Sequence, residues 1–334
     1  RSILMFKVAI VGYGNVGRGA ELALRKNPDA ECVGIFTRRN PEEIVSVTGL
    51  PVFKTEILER LSEHNGACAR PDVLILCGGS ACDLPQTAPE YLKKFNTVDS
   101  FDNHAKIPAY YRKMDETAKK HGKLCVVSVG WDPGLFSMAR AVFSEALTDG
   151  KTYTFWGRGV SQGHSNAIKE IPGVKRAVAY TVPKRSALNA VKAGILPELS
   201  PRDKHIRECF IVTEKGADET AIENYVKTMP DYFADYDTSV HFIDEKEFRE
   251  KHSGFSHGGV VIRTGRTFGS NAAAIELSLR SDSNPEFTGG ILVAYARAAA
   301  RLYKEGKTGA LTALDIPISY LSDKSAEDLR NTLL

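Results

Sequence analysis

The chain has 334 residues, of which 43% are hydrophobic and 25% charged, with a net charge of +3. That is an ordinary composition for about two soluble domains, and no Lys/Arg-rich run points to a nucleic-acid partner. No apolar stretch reaches the roughly 18 residues that cross a bilayer, so no membrane partner is expected.

No signal-peptide pattern is present, and residues 1–4, ahead of Met5, are expected to be a cloning remnant. The six cysteines (Cys32, Cys68, Cys77, Cys82, Cys125 and Cys209) show neither pairing nor metal-ligand spacing. Reduced thiols, a cytoplasmic location and no metal are therefore expected.

The first strand is an apolar run over 6–11, followed by Gly12-x-Gly14-x-x-Gly17 and a helical pattern over 16–26. Gly12 allows a tight turn, Gly14 lets a pyrophosphate approach the backbone, and Gly17 lets the helix pack on the strand. The unpaired N–H groups of that helix face the phosphates. A second apolar run, 31–36, ends in Thr37-Arg38-Arg39, with Thr37 20 residues beyond Gly17. An acidic residue there would hold the ribose of NAD, whereas arginines grip a further phosphate, so NADP is the expected cofactor.

Further strand and helix patterns alternate along the first half. A strand over 71–77 runs into Gly78-Gly79-Ser80, one over 96–99 ends in Asp99, and one over 124–129 runs into 130–134 with Asp132. Helices are expected over 56–62, 85–95, 107–121 and 135–147. This is a Rossmann-type doubly wound parallel sheet in an α/β protein. Beyond residue 131 the period changes to two. Strands expected near 151–156, 177–182, 207–212, 239–243, 259–263 and 273–279 suggest an α+β substrate and dimerisation domain with a mixed or antiparallel sheet. A long Ala-rich helix over 286–303 is expected to return to the first domain. The expected division is 1–130, 131–284 and 285–334.

Asp99 and Asp132 fall at the carboxyl ends of strands, where ligands of open α/β sheets lie. They suit a substrate ammonium group; a turn or cap role is the alternative for each. The stretch from Trp156 to His164 reads as a glycine-rich loop able to cradle a carboxylate, or as a plain turn. Arg207 opens a strand and can clamp a carboxylate, or simply be an edge charge. His257 lies beside flexible backbone and is either functional or structural.

Taken together, the motifs resemble the meso-diaminopimelate dehydrogenase family. The resemblance rests on Gly-Tyr13-Gly-Asn15-Val16-Gly, Phe36-Thr-Arg-Arg39, Asp99-Ser-Phe101-Asp102-Asn103-His104, Gly-Trp131-Asp-Pro133-Gly134, Ser161-Gln162-Gly163-His164, Arg207-Glu-Cys and His257-Gly-Gly. It implies NADP-dependent, reversible oxidative deamination of meso-2,6-diaminopimelate at its D-centre by a homodimer. The product would be L-2-amino-6-oxopimelate, which cyclises to tetrahydrodipicolinate, and the step would serve lysine biosynthesis. By resemblance Asp99, Asp132, Trp156, Gln162 and Gly163 would lie at the reacting centre, with Asp99 or Asp132 as the catalytic base, while Thr181, Arg207, His257 and Asn284 would hold the distal centre. Tyr13, Asn15, Val16, Thr37, Arg38 and Arg39 would line the cofactor. So would Gly78, Gly79, Ser80 and Ala81; Phe101, Asp102 and Asn103; and Pro133, Gly134, Leu135, Phe136 and Ser137. Gly78 and Cys82 stand where bulkier Met and Thr would be expected. The competing readings are another NADP-dependent oxidoreductase on the same two-domain plan and a non-catalytic NADP-binding sensor.

Overall fold

A computed structural model describes residues 5–61, 69–80 and 83–334. Cys68, Cys82, Ala81 and the four residues before Met5 lie outside the described residues, as does the expected end of the 56–62 helix. Two compact units emerge: residues 1–138 with 285–334, and residues 139–284.

In the first unit the chain runs β1 (Phe6–Val11), α1 (Asn15–Leu24), β2 (Ala30–Thr37), β3 (Val52–Lys54), α2 (Glu56–Arg60), β4 (Val73–Leu76), α3 (Asp83–Leu92), β5 (Asn96–Asp99), α4 (Ile107–His121) and β6 (Leu124–Val126). Helix α5 (Leu135–Ala146) then carries the chain out. The second unit contains β7 (Gly150–Trp156), β8 (Gly159–Val160), α6 (Gln162–Lys169), β9 (Val174–Pro183), α7 (Arg185–Lys192), α8 (Pro201–Lys204), β10 (His205–Thr213), α9 (Glu219–Thr228), β11 (Asp237–Phe242), α10 (Glu245–Lys251), β12 (His257–Arg266) and β13 (Ala272–Ser281). The chain closes with α11 (Asn284–Lys304), β14 (Gly309–Leu311) and α12 (Ala326–Leu333).

The first unit is built on a seven-stranded sheet in the order β14-β6-β5-β4-β1-β2-β3, parallel at every pairing. Its central strands are buried on both faces, which is why β1 and β4 read as continuous apolar runs. Val8, Ile10, Val73 and Ile75 point into one core, shared with α1 and α11. Ala9, Val11, Leu74 and Leu76 point into the other, shared with α3 and α4. Helices α1 and α11 cross backbone to backbone. A Cβ on Gly19 would lie 2.5 Å from the Pro285 carbonyl oxygen, and one on Gly289 would collide with the backbone of Gly19 and Ala20. The strand order reverses at β1 and β4, so the carboxyl ends of these strands form the switch point where ligands of such sheets bind.

The second unit holds a four-stranded sheet, β11-β10-β9-β8, and a three-stranded one, β13-β12-β7. In the first, β10 pairs parallel to β11 and antiparallel to β9; the second is antiparallel throughout. One face of β9 and β10 buries Ala177, Ala179, Cys209 and Ile211 against Ile168 of α6 and Ile222 and Val226 of α9. Arg207 and His205 occupy that same face of β10, because side chains on a strand alternate. Cys32, Cys77, Cys125 and Cys209 are free thiols. Among the described residues no helix is long and apolar enough to cross a membrane.

Candidate functional site

The turn after β1 is shaped for a pyrophosphate. Gly12 sits at φ 90°, a conformation costly for any residue with a side chain. Its N–H donates to the Phe36 carbonyl at 2.8 Å, so the sheet pairing continues to the very edge. A Cβ on Gly17 would collide with the Gly12 carbonyl oxygen, so only glycine lets α1 start this close to the strand. Gly14 is different: a Cβ there would meet nothing within 4 Å. The protein's own packing leaves that position open, and the room it gives is room for a ligand. Helix α1 has no side-chain cap and no acidic residue in its first turn. Its leading N–H groups therefore remain available to an anion, aided by the helix dipole. Asn15 and Val16 open that helix.

The two arginines flank this turn. Arg39 donates from its guanidinium to the Tyr13 carbonyl and from its amide to Thr37 Oγ1 at 3.1 Å. Arg38 pairs with Asp83 at 3.0 Å. An exposed pair of this kind is weak and easily exchanged for a phosphate. Asp83 comes close because Gly78 has no side chain; a Cβ there would stand 2.5 Å from its Oδ2. Sequence reasoning missed what steadies Tyr13. Its hydroxyl donates to Glu21, a carboxylate buried in α1 that also accepts the Thr48 N–H at 2.8 Å. Burial first, then the Glu21 bond, pushes the Tyr13 phenol up to about 12. Burial acts to raise the Glu21 carboxyl, but bonds from Ser46, Thr48 and Tyr13 outweigh it and hold Glu21 below the usual carboxylate range.

At the carboxyl ends of β5 and β6 the structure corrects one assignment. Asp99 is fully buried. Its Oδ1 accepts the N–H of Phe101 at 3.0 Å and of Ser128 at 3.1 Å, and its Oδ2 accepts the Tyr110 hydroxyl at 2.8 Å. A substrate ammonium group cannot reach a carboxylate that is sealed and already bonded, so Asp99 is neither a substrate ligand nor an accessible base. Burial raises its pKa, against the opposing pull of these bonds. The reachable acids at this edge are Asp102, which is exposed, and Asp132, which is half-buried. Asp102 N–H donates to Ser80 Oγ at 3.1 Å, joining the turns after β4 and β5. Asp132 sits in a loop closed by the bond from Leu135 N–H to the Gly130 carbonyl at 3.0 Å. Gly134, at φ 125°, makes that closure feasible, since a Cβ on it would collide with the Gly130 carbonyl oxygen. Ser137 Oγ accepts the Gly134 N–H at 3.1 Å. Phe101 and Phe136 face the core at this edge. Both side chains are buried, one stacked on Tyr110 with centroids 4.3 Å apart and the other edge-on to Trp131. Only their backbones are available to line a cofactor. Gly79, Asn103, Pro133 and Leu135 stay on the same edge, while Ala81 lies outside the described residues.

In the second unit the structure brings together Arg207, Thr181 and His257. Arg207 is opposite Thr181 in the β9–β10 register and donates to its hydroxyl. Thr181 is in turn opposite Gly159, and a Cβ on Gly159 would collide with the His257 ring. Arg207 is only 6% exposed, and its guanidinium carbon lies 4.1 Å from the centre of the Tyr236 ring. Its Nε is buried without a hydrogen-bond acceptor among the described residues. Among the described residues no carboxylate pairs with it. Asn284 N–H donates to the Phe255 carbonyl at 2.9 Å, two residues before His257.

His205, two residues before Arg207, was not singled out from sequence. Its Nε2 accepts the Trp156 N–H at 2.8 Å, and its ring stacks on the Trp156 indole with centroids 5.3 Å apart. Burial, followed by the Arg207 charge, pushes His205 down to about 3. The same two causes push His164 to about 3, where the ring bridges Ser161 Oγ at 2.7 Å and the Tyr232 carbonyl at 2.9 Å. His257 is likewise lowered, by burial first. Thus Arg207 carries the charge and the surrounding imidazoles are neutral. Gln162, Gly163 and His164 are not in a loop; they form the first turn of α6, with Gln162 and Gly163 exposed. Among the described residues no group of His, Cys, Asp and Glu is arranged to hold a metal ion.

Residues 130–283 match the family described as the diaminopimelic acid dehydrogenase C-terminal domain. A meso-diaminopimelate D-dehydrogenase from Acetivibrio thermocellus is 54% identical, covering 98% of this chain and 97% of that one. The solved structure of the Corynebacterium glutamicum DAP dehydrogenase in complex with DAP is 42% identical with a TM-score of 0.91, covering 99% of this chain and all of that one (100%). An engineered D-amino acid dehydrogenase bound to NADP+ is 40% identical with a TM-score of 0.88, again over 99% and 100% of the two chains.

Proposed function

This chain belongs to the meso-diaminopimelate D-dehydrogenase family, and from that premise we infer that it catalyses the NADP-dependent, reversible oxidative deamination of meso-2,6-diaminopimelate at its D-centre. The products are L-2-amino-6-oxopimelate, which cyclises to tetrahydrodipicolinate, and ammonia. The reading of a non-catalytic NADP sensor, like that of an oxidoreductase for another substrate, has no observation in its favour.

NADP supplies the hydride acceptor when bound. The turn at Gly12 to Gly17 and the start of α1 would hold its pyrophosphate, and Arg38 and Arg39 the additional phosphate. Asp102 and Asp132 take the substrate's reacting ammonium group. One of them removes a proton, because only a neutral amine can release electron density as the C–H bond breaks. Arg207, with Thr181, binds the distal carboxylate, while His257 and Asn284 belong to the same end. Trp156, Gln162 and Gly163 line the reacting end. Selecting one of two chemically alike centres follows from this division, since a reversed substrate would leave buried charge unpaired.

The observation that carries the reading is the buried Arg207 guanidinium, whose Nε has no acceptor among the described residues. A carboxylate offers what it lacks. The test is formation of NADPH, followed by its absorbance, from NADP and meso-diaminopimelate. Asp102→Asn and Asp132→Asn should each lower kcat/KM by about 100-fold or more while NADP still binds. Full activity in both variants would sink the assignment of the acids, and absence of NADPH formation by the parent would sink the reading as a whole. A cytoplasmic homodimer is part of the same proposal, supported by the family resemblance; light scattering should return twice the chain mass of 36.6 kDa.

A further inference from the structure

We propose that Asp99 is a positioning residue that ties together the two loops bearing Asp102 and Asp132. The inference rests on the functional reading above and deepens it. Asp99 ends β5, and a single oxygen of its carboxylate takes one amide from each loop: Phe101 N–H at 3.0 Å, one residue before Asp102, and Ser128 N–H at 3.1 Å, four residues before Asp132. Its backbone carbonyl adds a third link, accepting Val129 N–H at 3.0 Å. Its other carboxylate oxygen is fixed by the Tyr110 hydroxyl at 2.8 Å, and Tyr110 is itself held by the stacked Phe101 ring.

The site has the marks of a constraint rather than of ordinary packing. β5 and β6 pair only over Thr97–Val98 and Cys125–Val126, so the sheet ladder has ended before either loop begins. Ser128 sits at φ 58°, a region that a serine enters only under constraint. Asp99 accepts the amide of that residue. Beyond that ladder one backbone bond, from Val129 N–H to the Asp99 carbonyl, still joins the two chains, and by itself it would leave the spacing of the acids loosely set. One buried carboxylate makes the spacing common to both, and no water competes for its bonds.

The geometry separates this role from catalysis. Because both amides go to Oδ1, Asp99→Asn can keep them, with Nδ2 donating to the Tyr110 hydroxyl. A base, by contrast, does not survive that change. We therefore expect Asp99→Asn to keep kcat and the KM for meso-diaminopimelate close to the parent's, and Asp99→Val to lower kcat/KM by about 100-fold. Asp99→Val combined with Asp102→Asn should cost less than the sum of the two single losses, since part of the Asp99 effect acts through the same acid. Arg297→Lys, which disturbs a buried cluster elsewhere in the unit, serves as a control for lost stability and should leave kcat/KM unchanged. If Asp99→Val does not fold, Tyr110→Phe releases Oδ2 and should raise the KM for meso-diaminopimelate without abolishing turnover.

Loss of turnover in Asp99→Asn would overturn the proposal in favour of a chemical role. Parental kinetics in Asp99→Val, parental kinetics in Tyr110→Phe, or full additivity with Asp102→Asn would overturn it in favour of an inert core acid. Full activity of Asp102→Asn itself would mark failure of the underlying reading instead.

Discussion

A guanidinium shut away from water must find acceptors, and Arg207 finds a hydroxyl, an aromatic face and nothing for its Nε. Its charge is therefore a cost to the fold that a bound carboxylate offsets. Arg207→Met should raise the KM for meso-diaminopimelate by about 10- to 100-fold, the worth of a charged hydrogen bond. A D-amino acid without a distal carboxylate should lose far less; equal losses would make Arg207 a structural residue. Thermal stability should change little in the variant, because no buried carboxylate is left behind, only the Thr181 hydroxyl. The neighbouring histidines give a pH signature. His164 and His205 have folded pKa values of about 3, against 6.5 when unfolded. Below pH 6.5 the unfolded chain therefore binds more protons, so stability falls as pH falls from 6.5 towards 3, at up to about 1.4 kcal/mol per pH unit for each histidine. His205→Asn should flatten that slope in thermal melts between pH 6.5 and 4; an unchanged slope would place His205 in contact with water. Residue order offered Arg207 as a carboxylate clamp but not its burial or its partners. Arg207 and Tyr236 are far apart in sequence, and residue order put Asp99 at the amine and Asp102 beside the cofactor. What separates the two acids is the direction of a side chain at the end of a strand, and only the surrounding amides reveal it.

At the scale of elements, the glycine turn was plain in the sequence because each glycine has a distinct steric duty. The structure divides those duties between fold and ligand. Gly17→Ala forces a Cβ into the Gly12 carbonyl, whereas Gly14→Ala meets nothing. We expect Gly17→Ala to lower Tm and to cost about 1–3 kcal/mol, as overpacking does. Gly14→Ala should leave Tm intact and raise the KM for NADP. A destabilised Gly14→Ala with unchanged cofactor affinity would reverse the division. The alternating strands β7, β10 and β13 were also readable, since a half-buried strand repeats every two residues, whereas β9 and β12 are buried along most of their length. Helix α6 was not. It is short, begins at Gln162 and carries Gly163 in its first turn, so its local composition argues for a loop. Packing of Ile168 into the core beside β9 decides otherwise, a tertiary influence that no local pattern carries.

At the scale of the molecule, the cofactor unit is discontinuous in sequence. Its final strand, β14, joins the sheet beside β6, and α11 covers one face of that sheet. Arg297 of α11 fastens this return to the start of the chain. Its Nε and one terminal nitrogen meet the two oxygens of Asp29 at 2.5 and 2.7 Å, and that nitrogen also meets Asn27 at 2.6 Å. Both partners of the pair are essentially buried. Arg297→Met should cost about 3–5 kcal/mol, because it strands a carboxylate in the core. Urea titration measures this, and a loss below 1 kcal/mol would mean that water reaches Asp29.

The close crossing of α1 and α11 at Gly19 and Gly289 has a consequence for how the protein is made. During translation residues 139–284 leave the ribosome as one uninterrupted piece and can mature at once. The nucleotide-binding half must wait, one hydrophobic face uncovered, until residues 285–334 have been made. Throughout that interval the nascent chain holds the glycine turn without the helix that backs it, which makes the newborn polypeptide a natural client for holdase chaperones.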